Sequence, residues 1–170
     1  MDEHDPKPHP RTTLGLLIAT WFGCGLAPKA SGTVGTLGAV PLYLLLAHPT
    51  HGFGLTGAGY ALFIALTLPV GFWAADIAGR HYGESDDGRI VIDEVFGFLV
   101  TMMFSPGQVS HLVCGFILFR LFDIFKPWPA RFFDSRIKNA FGNVMDDLVA
   151  GLYSFMVLQG LMRVAPEVFQ

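Results

Sequence analysis

From Leu55 to Ala75 the chain runs 21 residues without a charged side chain. About 20 apolar residues carry a helix across the hydrocarbon core of a bilayer, so this stretch sets the solvent the fold must answer to. Pro69 predicts a kink within it. Other apolar runs cover Leu37 to Ala47, Val95 to Phe119 and roughly 146–163. The second of these is broken by "SPGQ" at Ser105 to Gln108, and Pro-Gly is turn chemistry, so it reads as two antiparallel helices of roughly 90–104 and 109–125. "LGLLIATWFGCGL", Leu14 to Leu26, is too short for a span and reads as interfacial or re-entrant. Composition agrees: 52% of residues are hydrophobic and 15% charged, against roughly 25% charged in ordinary globular domains, and the mean hydropathy is +0.48. The predicted fold class is all-α, a polytopic membrane helical bundle of four to five apolar helices with a re-entrant or interfacial N-terminal segment. Residues 1–13 read as a disordered polar lead-in, 14–165 as a single membrane domain and 166–170 as a C-terminal tail.

The net charge of −3 gives no basic face for nucleic acid, and no protein partner is evident. Cys24 and Cys114 lack the spacing of a disulfide framework or a zinc site.

Two apolar runs begin with adjacent acids: Asp93 and Glu94 in "IVIDEVFGFLV", and Asp146 and Asp147 in "NVMDDLVAG". One acid in the first turn of a helix complements its dipole, worth about 0.3–1 kcal/mol. Two adjacent pairs exceed what that needs, because charges near a membrane core cost roughly 2.5–3.5 kcal/mol each at its centre and repel one another. A divalent cation relieves both problems, and hard oxygen donors suit Mg²⁺. The metal candidates are Asp93, Glu94, Asp146 and Asp147, with Asp76 as a further one.

Following the helix ends, Asp76, Asp93, Glu94, Asp123, Asp146 and Asp147 all emerge on one side of the membrane, provided the chain turns at Pro106-Gly107. Arg80, Arg89, Lys126, Arg131, Arg136 and Lys138 fall on that side too, whereas loops 48–54 and 105–110 hold no Lys or Arg. The positive-inside bias therefore predicts an acidic cluster at the cytoplasmic face.

Cations for phosphate stand nearby. Arg120, Asp123 and Lys126 follow at i, i+3 and i+6 in "FRLFDIFKPWP"; Arg offers bidentate contacts and Lys a point charge, and the spacing predicts that Lys126 pairs with Asp123, three residues back. "APKASGTVGT" places the hydroxyls of Thr33 and Thr36 and flexible Gly32 and Gly35 just before an apolar helix, where backbone N–H groups attract phosphate. Arg120, Lys126, Thr33 and Thr36 are the phosphate-binding candidates. The Cys114-x5-Arg120 spacing of cysteine phosphatases is a decoy, because the intervening "GFILF" is bulky helix and nothing lowers the thiol pKa.

Taken together, "GCGLAPKASGTVGTLGAVP", "DDGRIVIDEVFG", "FRLFDIFKPWPARFFD" and "GNVMDDLVAG" resemble the phosphatidylglycerophosphatase A family of Mg²⁺-dependent bacterial membrane phosphatases. The resemblance covers roughly residues 22–151. The chain departs at Ser31, where the family usually has Pro, and at Asn139, Ala140 and Asn143, which replace glycine or apolar residues. The resemblance implies that the chain hydrolyses the terminal phosphate of phosphatidylglycerophosphate to give phosphatidylglycerol, as a multi-pass protein of the bacterial inner membrane. It also implies that Asp93, Glu94, Asp123, Lys126, Asp146 and Asp147 form the catalytic core. A divalent-cation channel or transporter with an acidic cytoplasmic mouth is the rival from another class. It explains the acids but leaves the Arg/Lys cluster beside a cation path unexplained.

Overall fold

A computed structural model describes residues 10–169, all of whose regular structure is helical. The α-helices are α1 (Pro10–Ala19), α2 (Ser31–Ala47), α3 (Gly57–Tyr82), α4 (Ile92–Thr101), α5 (Val109–Phe125), α6 (Ala130–Arg136) and α7 (Ala140–Val164); 3-10 turns cover Cys24–Leu26 and Pro166–Phe169. Of these, α3 and α7 are long and apolar enough to cross a membrane, and α2 is a shorter apolar helix. At 1.5 Å per residue, α3 and α7 are about 38 Å long and α4 about 15 Å, so of the four to five apolar helices expected, two are long enough to span. Length is the reason: α2 and α5 stop after 17 residues and α4 after 10.

The short α4 is the centre of the bundle. Every residue in it except Glu94 is buried, as suits a helix that is apolar beyond its acidic first turn. α2, α3, α5 and α7 pack around it. Glycines allow the closest approach: a side chain on Gly151 of α7 would run into the Gly97 carbonyl of α4, and one on Gly97 would meet Phe119 of α5. Far from the acids, Tyr43 donates its hydroxyl to the Ser105 carbonyl at 2.8 Å and Tyr60 donates to the Leu99 carbonyl at 3.0 Å. The first bond ties α2 to the 102–108 turn, which makes the predicted hairpin between α4 and α5, and the second ties α3 to the end of α4.

Several boundaries differ from the sequence reading. α1 starts at Pro10, inside the expected lead-in, whose residues 1–9 lie outside the described residues. The expected tail folds back as a 3-10 turn with Phe169 buried against the His111 ring, centroids 4.9 Å apart. α2 begins at Ser31 and not at Leu37, α3 continues past Asp76 to Tyr82, and α7 begins at Ala140, six residues before its acidic pair. The Asn139 side chain caps α7 by accepting the Gly142 N–H at 3.0 Å, satisfying a donor that has no partner within the helix.

Candidate active site

The N-termini of α2, α4 and α7 and the C-terminus of α5 meet at one end of the bundle. α4 delivers Asp93 and Glu94 in its first turn, and α7 delivers Asp147 opposite them. One carboxylate oxygen from each lies within 4.8 Å of the others. Asp93 is 8% exposed and Asp147 4%, so mutual repulsion is poorly screened. α2 closes a third side: a side chain on Gly32 would collide with the Glu94 carboxylate and approach Arg120. Glycine at this position is what lets the α2 backbone lie against the acids.

From α5, Arg120 Nη1 lies 2.7 Å from Asp123 Oδ2 and 3.7 Å from Glu94 Oε1. The group is nonetheless unsatisfied. Among the described residues, buried Glu94 Oε2 and Arg120 Nε and Nη1 find no hydrogen-bond partner, the close approach of Arg120 to Asp123 being an ion pair without hydrogen-bond alignment. Buried polar groups are rarely left so. An orphaned carboxylate oxygen and orphaned guanidinium N–H groups side by side suit a cation and an anion bound together. Three hard oxygen donors from Asp93, Glu94 and Asp147 could hold a metal ion.

Lys126 occupies a second position. It ends α5 in the left-handed region, φ 43°, with its N–H on the Phe122 carbonyl at 2.8 Å. That conformation costs a non-glycine residue about 1–2 kcal/mol, and it ends the helix with the side chain reaching α6 and α7. Its Nζ donates to Asp134 of α6 at 2.8 Å and to Asp146 of α7 at 2.5 Å. Burial opposes the ammonium charge, but the hydrogen bonds to Asp134 and Asp146 and the field of Asp147 outweigh it and hold the Lys126 pKa above its ordinary value. The same bond holds the Asp134 carboxyl below the usual carboxylate range.

The 83–91 loop roofs this end. Asp87 accepts the Arg89 backbone N–H at 2.9 Å and its guanidinium at 2.7 Å, Asn143 donates to the Ser85 carbonyl, and Val91 N–H bonds the Ala19 carbonyl at 2.9 Å.

The structure thus brings together Asp93, Glu94, Asp147, Arg120 and Asp123, with Asp146 and Lys126 alongside. Asp76 is elsewhere: it is exposed on α3 and paired with Arg80 at 2.8 Å. Asp146 stands outside the three-carboxylate group. Thr36 is fully buried inside α2, its hydroxyl donating to the Gly32 carbonyl at 2.8 Å, and Thr33 is half-buried in the first turn. Both threonines lie within the helix and not before it. Lys126 pairs with Asp134 and Asp146 and not with Asp123, as the i, i+3 spacing suggested. Asp134 was missed; its signal is its place at the end of "KPWPARFFD".

Residues 17–162 match the phosphatidylglycerophosphatase A family. The chain belongs to this family. Among curated relatives of this phosphatidylglycerophosphatase A family member, the phosphatidylglycerophosphatase A of Escherichia coli is 35% identical over 143 residues, 84% of this chain and 80% of the relative. The protein of the same name from Haemophilus influenzae is 34% identical over 144 residues, 84% of this chain and 85% of the relative. A relative from Bacteroides thetaiotaomicron, provisionally named a phosphatidylinositol-3-phosphatase, is 35% identical over 148 residues, 85% of this chain and 91% of the relative. No solved structure matches.

Proposed function

We propose that this chain, a phosphatase by family, removes the terminal phosphate of phosphatidylglycerophosphate to release phosphatidylglycerol and inorganic phosphate. The observation that carries the reading is the buried group of Asp93, Glu94 and Asp147 beside an Arg120 with unspent N–H donors. Asp93, Glu94 and Asp147 would hold Mg²⁺, which would supply charge neutralisation at a phosphoryl oxygen. Arg120 takes the remaining phosphate oxygens in a bidentate contact, and Asp123 fixes its guanidinium. Lys126 holds the Asp146 carboxylate in place at the edge of the group and adds positive potential where the phosphoryl charge develops. Thr33, in the first turn of α2, lies near enough in sequence to Gly32 to help receive phosphate; the Thr36 hydroxyl is already spent. The adjoining cations disfavour a cation conduit through this site, because a permeating ion would pass Arg120 and Lys126.

The location follows from the same features. The protein is a multi-pass protein of the bacterial inner membrane, with the acidic end cytoplasmic. Support comes from α3 and α7 as spans and from the Lys/Arg bias between the loops at the two ends. In a variant lacking Cys24 and Cys114, single cysteines at exposed Ser135 and Gln108 should be labelled from opposite sides of the membrane; labelling of both from outside overturns this topology.

The deciding test is phosphate release by purified full-length protein from phosphatidylglycerophosphate in mixed micelles, with EDTA and with Mg²⁺ restored. Phosphatidylinositol 3-phosphate serves as a comparison, prompted by the name of the Bacteroides relative. Release from phosphatidylglycerophosphate that stops in EDTA and returns with Mg²⁺ is expected. Undiminished release in EDTA removes the metal from the reading, and faster release from the phosphoinositide replaces the substrate.

A further inference from the structure

Beside the acidic end, α1, α2, α3 and α4 enclose an apolar hollow of about 760 Å³, walled chiefly by Trp21, Phe22, Leu42, Phe63, Val95 and Phe96. It has the size of a small-molecule site. The wall offers almost nothing to a polar ligand. The Thr67 hydroxyl is spent on the Phe63 carbonyl at 2.8 Å, and the Trp21 indole N–H on the Gly38 carbonyl at 2.8 Å. The rim opens outward through Phe22, Leu45 and Val70, which are 67%, 48% and 45% exposed. The hollow and the acids share two helices. In α4, Ile92 and Val95 line the hollow and bracket Asp93 and Glu94. In α2, Gly32 lies against Glu94, and Gly38 lines the hollow six residues on, about 9 Å along the axis. That is the order of separation that the glycerol and ester groups place between a lipid phosphate and its first methylenes.

We infer that this hollow seats one acyl chain of the lipid phosphomonoester whose phosphate is processed at Asp93, Glu94, Asp147 and Arg120; this rests on the lipid-phosphatase reading above. A chain leaving the bilayer for the hollow exchanges one hydrocarbon setting for another, so area burial contributes little. What the hollow supplies is orientation: a held chain fixes where the phosphate sits relative to the carboxylates. A chain packed between Leu42 and Phe96 can hold the headgroup through the glycerol only if the two belong to one molecule, so the hollow should prefer lipids bearing a phosphomonoester.

The test uses full-length protein in mixed micelles and two photoreactive lipids with the same diazirine-bearing chain. One carries the phosphoglycerophosphate headgroup and the other phosphocholine. The first should label α2 and α3 at the hollow at least fivefold more than the second, and Val70→Trp or Leu45→Trp, either of which fills the rim, should remove that excess. Leu66→Trp, on an exposed part of α3 outside the hollow, should leave it. In parallel, the two filling variants should slow phosphate release from the long-chain lipid at least tenfold relative to Leu66→Trp, and release from the deacylated headgroup by less than twofold. Equal labelling by the two lipids overturns the proposal and makes the hollow a seat for any bilayer lipid. Labelling unchanged in both filling variants, or equal loss on both substrates, overturns it as well. If wild-type protein releases no phosphate but still labels preferentially, the phosphatase reading fails and the hollow's preference stands.

Discussion

The pair Asp93–Glu94 occupies the first turn of α4, whereas Asp146–Asp147 lies six and seven residues beyond the start of α7. A first-turn acid gains from the helix dipole, an effect that fades within that turn. The α7 pair is therefore about 10 Å past the helix start and draws no such benefit. Lys126 offsets the burial of Asp146; Asp147 faces Asp93 and Glu94, whose like charge adds to the cost of its burial and is what a bound cation would relieve. Adjacent residues on a helix project about 100° apart, so the acids of a doublet need not share all their partners. α7 sends Asp147 toward α4 and Asp146 toward Lys126. Glu94 turns toward Gly32 and Arg120. Neighbouring acids in the sequence are thus assigned to different partners, and two doublets yield one three-carboxylate group plus one salt-bridged acid.

The largest expected effect divides the α7 doublet. Asp147→Asn should cut phosphate release by at least about 10²- to 10³-fold, the scale of losing a preorganised charge at a reacting phosphate, and should abolish Mn²⁺ binding measured by electron paramagnetic resonance. Asp146→Asn should slow release while retaining the bound-Mn²⁺ signal. Loss of that signal in both variants would merge the two acids into one metal site and erase the distinction.

Lys126→Gln comes next. Removing a charge-assisted contact of roughly 1.5–3 kcal/mol should slow phosphate release about 10- to 150-fold. Lys138→Gln, in the same basic segment but outside the salt-bridge set, should change it by less than about twofold. Similar small losses in both would reduce Lys126 to a contributor of general surface charge.

Much of this arrangement was legible. The order of the helices, the break at Pro106-Gly107 and the convergence of the acids with Arg120 follow from where apolar runs stop and which side each returns to. Depth was not legible, because apolar runs report where a helix becomes greasy and not where it begins. Ser31 to Thr36 and Ala140 to Met145 are helical turns too mixed in polarity to join their runs. The α7 start is set by one side-chain cap at Asn139. The partner of Lys126 was misjudged for a related reason: the i, i+3 rule holds on a continuing helix, and Lys126 leaves α5 in the left-handed region, carrying its side chain toward α6 and α7. That exit also hid Asp134, which is eight residues away across a turn.

Asp134→Asn is expected to have a moderate effect, about fivefold on phosphate release if roughly 1 kcal/mol of positioning is lost. Its clearer signature is in pH. The Asp134 carboxyl is depressed by Lys126, so the stability it adds is present above the unfolded value of about 3.9 and disappears as pH falls through the lower folded value. The gap in melting temperature between wild type and Asp134→Asn should therefore be constant near neutrality and close below about pH 4. A gap that persists in acid would assign the effect to packing and not to charge.

Asp76 gives the smallest effect and tests the comparison from outside. The sequence makes it a metal candidate because it ends an apolar run near the other acids, yet α3 carries on for six residues past it and its carboxylate pairs with Arg80. Both side chains are substantially exposed, 49% for Asp76 and 78% for Arg80, and exposed ion pairs are typically worth about 0–1 kcal/mol. Asp76→Asn should thus leave phosphate release within about twofold of wild type and leave the Mn²⁺ signal intact. It should behave like an ordinary surface change even though it removes the same chemical group as Asp147→Asn. A loss approaching that of Asp147→Asn would mean that α3 moves its acid into the site during turnover, and the division between structural and metal-binding carboxylates would have to be redrawn around three helices.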